Sequence, residues 1–182
     1  MAWKLKKTVV LVGMMGAGKT AVGKALSAKV GVPFRDSDAE IVAAANMEIA
    51  EIFARDGEAF FREKESQVIE RLLGEEPCVL STGGGAFLSE RNRDAIAAEG
   101  VAVCLQADLQ LLWNRVKHKD TRPLLRTADP FATLSEIYAA RAPVYALADL
   151  KVPVEPSYSI ETTCDKVVDA LVTRQDVLEC MK

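Results

Sequence analysis

TVVLVGMMGAGKT, residues 8–20, joins a short apolar run to a glycine-rich octet. Thr8–Val12 is β-branched and stops at Gly13, which predicts a buried strand. From Lys19 onward, Val22, Leu26 and Val30 recur four apart, which predicts a helix that Gly31 ends and Pro33 keeps from continuing. The octet between them, Gly13–Thr20, fits G-x-x-x-x-G-K-[ST] in the strand-to-helix context the pattern requires. Its physical sense is phosphate binding. Gly13, Gly16 and Gly18, with Ala17 between, let backbone N–H groups curl around phosphate oxygens, and the helix N-terminus adds favourable partial charge. Lys19 reaches the β- and γ-phosphates, and Thr20 offers a hydroxyl to Mg2+. The expected ligand is ATP or GTP with magnesium.

Outward from the octet, apolar runs alternate with helical patterns. PFRDSD (33–38) predicts a short strand entering acidic residues. Residues 39–73 read as helix, broken near Asn46 and at Asp56-Gly57. CVLST (78–82) and VAVCLQ (101–106) predict two more strands, with a helix from Ser89 to Gly100 between them. Asp108 caps the next helix, and residues 132–148 form another, bent near Pro143. LKVPV (150–154) predicts an edge strand, and Ile160–Val172 a closing helix. The tail after Arg174 receives no element. Such alternation predicts an α/β fold of three layers, helix on parallel sheet on helix. Ligands of these sheets bind beyond the carboxyl ends of the strands, where Gly13–Thr20, Asp36–Asp38 and Gly83–Gly85 all fall.

The 182 residues suit one domain, 1–182. A net charge of -3 gives no sign of a polyanion such as nucleic acid as the main partner and leaves room for a local basic pocket. Cys78, Cys104, Cys164 and Cys180 form no CxxC pair, and His118 stands alone, so neither a disulfide framework nor a zinc site is expected. Lys4, Lys6 and Lys7 before an apolar run loosely imitate a leader, but that run is short and leads straight into GKT. No run approaches a membrane span. These features predict a cytoplasmic protein, and the lack of a heptad or apolar surface stripe predicts a monomer.

Three further groups carry chemistry. In extended backbone Asp36 and Asp38 point the same way, so one carboxylate serves the metal and the other a hydroxyl nucleophile. The alternative is Asp38 as a helix N-cap. Arg62, Arg122 and Arg141 present planar guanidinium groups suited to carboxylate or phosphate, against the alternative of solvated surface residues. Arg122 lies in a polar, proline-containing stretch, 117–129, that predicts a small lid. The triplet Gly83-Gly84-Gly85 is either a loose turn or a wall where backbone meets a ligand.

No N-K-x-D guanine-reading sequence is present, and no apolar strand ending in Asp supplies the second metal motif of larger ATPases. Either the metal-side acid comes from elsewhere in the chain, or the chain belongs to a small-kinase branch. GMMGAGKT, DSD, FFREKE, STGGGAF, TRPLL and YAARAPVY, in that order, resemble the shikimate kinases from about Thr8 to about Val172. The resemblance implies a five-stranded parallel sheet of order 2-3-1-4-5 and ATP-dependent phosphorylation of the 3-hydroxyl of shikimate, on the route to chorismate. It implies a shikimate-binding region at about 36–65. Lys19 and Thr20 would serve phosphate and magnesium, with Asp36 in the magnesium shell. Asp38 would act as base. Arg62 and Arg141 would clamp the shikimate carboxylate, and Glu65 would buttress Arg62. Gly83, Gly84 and Gly85 would line the site with backbone, and Phe53 and Phe61 would wall it. Arg122 would reach ATP from the lid, and Arg115 would pack on adenine. EPSYSIET (155–162) matches no family segment. A gluconate kinase on the same fold, or a nucleotide-binding module without catalysis, are the alternatives. The second would be expected to lose Lys19 or the acids, which this chain keeps.

Overall fold

The computed structural model describes residues 2–118 and 125–181. Arg122 and residues 119–124 of the expected lid lie outside the described residues. The chain runs β1 (Ala2–Leu5), β2 (Thr8–Val12), α1 (Lys19–Val30), β3 (Phe34–Asp36), α2 (Ser37–Ala45), α3 (Ile49–Asp56) and α4 (Glu58–Leu73). It continues through β4 (Val79–Ser81), α5 (Glu90–Glu99), β5 (Gly100–Gln106), α6 (Leu109–Val116) and α7 (Pro130–Tyr145). β6 (Leu150–Pro153), α8 (Ile160–Leu171) and β7 (Leu178–Met181) complete it.

Five parallel strands form the sheet in the order β3-β4-β2-β5-β6. Counted along the chain without β1, that is the expected 2-3-1-4-5. The central strand β2 is buried at all five positions, which its run of Thr, Val and Leu anticipates for a strand covered on both faces. Val10, Leu11, Leu80, Val101 and Val103 are fully buried beside one another on β2, β4 and β5. Each large apolar side chain removed from water there contributes about 1.5–3 kcal/mol. Because the strands are parallel, their carboxyl ends share one edge, which brings the three sequence-distant loops together.

The termini depart from expectation. Residues 2–5 and the unplaced tail pair as an antiparallel ribbon, from Ala2 opposite Met181 to Leu5 opposite Leu178. Leu5, Val177 and Leu178 bury its inner side. Two of the three lysines that imitate a leader are paired here: Lys6 with Glu179 at 3.1 Å and Lys7 with Asp176 at 3.4 Å. Pro143 sits inside α7 without ending it, on the exposed side of the helix.

Candidate active site

The octet leaves β2 and turns through glycines into α1. Gly16 has φ +85°, and a Cβ there would meet Val116 Cγ1 at 2.9 Å, so both conformation and space require glycine. Gly18 is the left-handed N-cap of α1, and no side chain caps the helix. Its first N–H groups are therefore left for an anion. Lys19 Nζ donates to Gly13 O at 2.5 Å, which holds the ammonium over the loop.

Asp36 and Asp38 reach the site by a different route from the one their spacing suggests. Ser37 is already helical, so the pair straddles a strand-to-helix junction and is not extended. Asp36, not Asp38, is the N-cap: its Oδ1 accepts from Asp38 N at 2.9 Å and Ala39 N at 3.1 Å. Asp38 is left in the first turn, and both carboxylates still line one cavity. Burial and the Asp36 carboxylate push the Asp38 pKa up, against the pull of Lys19 and Arg62.

That cavity, about 390 Å³, is also lined by Lys19, Thr20, Phe53, Phe61, Arg62, Glu65, the three glycines and Arg141. Phe53 and Phe61 pack at 4.7 Å between ring centroids, forming one apolar wall. Arg62 lies over the Phe61 ring at 5.2 Å and donates to Glu65 Oε1 at 3.0 Å. Glu65 is 1% exposed. Burial raises its carboxyl pKa while Arg62 opposes the rise. Arg141 Nη1 donates to Gly84 O at 3.2 Å.

The glycine triplet turns the chain tightly, with Ala86 N donating to Gly83 O at 3.1 Å, and packs against three side chains of the cavity. A Cβ on Gly83 would lie 2.7 Å from Asp38 Oδ1, on Gly84 3.2 Å from Arg141 Nη1, and on Gly85 2.6 Å from Arg62 Nη2. Each glycine makes room for one side chain that lines the cavity, and none of the three has a positive φ. Gly83 N donates to Ser37 Oγ at 3.2 Å, a tie no sequence motif announces.

A second cavity of about 510 Å³ lies along the loop and shares Met15, Lys19 and Thr20 with the first. Arg115 bounds it and donates to Gly16 O at 2.9 Å. Val154, Tyr158, Ser159, Ile160 and Thr163 line its far side. These residues carry no motif. They arrive because β6 ends and α8 begins at the same edge of the sheet, with Ser159 Oγ accepting from Thr162 N as the α8 cap.

The sequence model of the shikimate kinase family matches residues 15–172. The chain belongs to the shikimate kinase family. It is 67% identical over 175 residues to a shikimate kinase of Ruegeria pomeroyi, covering 96% of this chain and 90% of that protein. A shikimate kinase of Cereibacter sphaeroides is 63% identical over 176 residues, with 97% and 88% covered. Among solved structures, a shikimate kinase from Acinetobacter baumannii in complex with shikimate superposes with a TM-score of 0.83 at 32% identity, covering 93% of this chain and 94% of that one. Family membership and the sheet order agree with the resemblance carried by the six motifs.

Proposed function

We propose that this chain transfers the γ-phosphoryl group of ATP to the 3-hydroxyl of shikimate, as a cytoplasmic, monomeric enzyme on the route to chorismate. One observation carries the reading: two guanidinium groups, Arg62 and Arg141, and the Asp38 carboxylate line one cavity, which shares Lys19 and Thr20 with the second. A small anion with hydroxyls needs that combination of fork, acceptor and bare backbone.

The nucleotide phosphates lie along Gly13–Thr20, with Arg115 beside the base. Shikimate places its carboxylate between Arg62 and Arg141 and its ring against Phe53 and Phe61. Asp38 accepts the proton of the 3-hydroxyl as its oxygen bonds to γ-phosphorus. The bond from γ-phosphorus to the bridging oxygen breaks, and ADP leaves. Lys19 supports the charge on the transferring group.

Among the described residues, no cluster of three or more His, Cys, Asp or Glu side chains is placed to hold a metal by itself. The Thr20 hydroxyl and the Asp36 carboxylate, which line the first cavity, fit Mg2+, which takes one or two protein ligands and completes its shell with phosphates and water. Thr20 would hold it directly and Asp36 from its shell; when bound, it neutralises charge on the β- and γ-oxygens. Asp36 suits the supporting role because both its helix N–H bonds fall on one oxygen, Oδ1.

The direct test is a coupled assay of ADP release with shikimate, gluconate and other hydroxy-acids. Turnover with shikimate is expected; turnover with another polyol and none with shikimate overturns the reading. Arg141→Lys keeps the charge but loses the fork, and should raise KM for shikimate about tenfold with KM for ATP unchanged. An effect confined to ATP would take Arg141 out of the clamp.

A further inference from the structure

Tyr145 lies in the YAARAPVY segment but has no place in the mechanism above. It is 4% exposed, and its hydroxyl donates to Gly84 O at 2.5 Å. Arg141 donates to the same carbonyl. The two residues stand four apart on α7, hence on one face, while Pro143 between them occupies the exposed side. A carbonyl oxygen has two lone pairs, and here both donors come from one helix. Three successive glycines form the least self-restrained backbone a chain can make. This one is tied at Gly83 N by Ser37 and at Gly84 O by α7.

We propose that Tyr145 is a positioning residue for the acceptor site: its hydroxyl fixes the Gly84 carbonyl, and through it the Arg141 guanidinium, in register for the substrate carboxylate. Without that hydroxyl, Arg141 alone satisfies the carbonyl and turns further toward it, away from the cavity. Burial raises the phenol pKa, and Arg141 opposes the rise, so the hydroxyl remains a donor through the neutral range. The ring stacks on Phe87 at 6.5 Å between centroids, so Tyr145→Phe preserves the packing and removes only the hydroxyl, which donates to Gly84 O and accepts from Arg141.

The inference rests on the cavity being the shikimate site, which wild-type turnover of shikimate tests separately. With the wild-type protein active, Tyr145→Phe should raise KM for shikimate about fivefold, the scale of one lost buried hydrogen bond, with kcat and KM for ATP within about twofold. In an Arg141→Lys background the same change should add little, since both act through one carbonyl. Phe87→Leu, which disturbs the packing but not the hydroxyl, should lower Tm without moving KM. An unchanged KM in Tyr145→Phe, full additivity with Arg141→Lys, or an equal KM rise in Phe87→Leu would each overturn the role.

Discussion

Asp38→Asn should lower kcat for shikimate phosphorylation by about two orders of magnitude or more, the scale of a lost general base, while KM for ATP stays within about twofold. Asparagine keeps the size of the side chain and its position beside Gly83 but cannot accept the hydroxyl proton. The environment sharpens the test. Burial and Asp36 both disfavour the charged carboxylate, so the Asp38 pKa stands above its ordinary value. The acid limb of the kcat/KM profile for shikimate, which reports the free enzyme, should therefore lie above the usual carboxylate range in the wild type and vanish in the variant. Stability should move the other way. A group whose native pKa is raised binds its proton more tightly folded than unfolded, so stability falls as pH climbs from the unfolded to the native pKa. At neutral pH the full cost of the buried charge is present, and Asp38→Asn should raise Tm. A variant that is inactive yet more stable marks a residue kept for chemistry. Near-wild-type kcat would remove Asp38 from the reaction.

How far such a site can be read from sequence depends on whether its parts are local. The octet is local: strand, glycines, lysine and helix lie within 8–20, and the fold places them as the pattern requires. The alternation of strands and helices also fixes the common edge, because parallel strands leave no other place for the three loops. What stays hidden is pairwise and distant. DSD fits a strand end or a helix cap, and only the helical start at Ser37 decides between them, giving the cap to Asp36. Tyr158, Ser159 and Ile160 join the cavity along the glycine-rich loop through the sheet and not through any motif. β1 and β7 are too short and too far apart in sequence for either to announce the other.

Gly85→Ala should raise KM for shikimate by about ten- to a hundredfold, the range for a disrupted charge-assisted contact, with KM for ATP little changed and Tm lowered by the broken Arg62–Glu65 pair. At φ -97° alanine meets no backbone strain, so any effect must come from what the new Cβ touches. It would lie 2.6 Å from Arg62 Nη2, 2.7 Å from Nη1 and 2.9 Å from Cζ, against the whole guanidinium. Arg62 cannot yield without loss. Glu65 holds it at 3.0 Å, and the Phe61 ring lies beneath it. Swinging outward, it breaks the ion pair, leaves the buried Glu65 carboxylate without its partner and withdraws the fork from the acceptor. Gly84→Ala meets one nitrogen of Arg141 at 3.2 Å and should be the milder change. That ranking discriminates between two accounts of the triplet. If the glycines chiefly kept space for the ring of the acceptor, alanine at the middle position would do the most harm. If they keep space for the side chains that hold the acceptor, position 85 should be the worse, and shikimate titrations of the two variants decide it. Equal, small effects at both would reduce the triplet to a turn after β4.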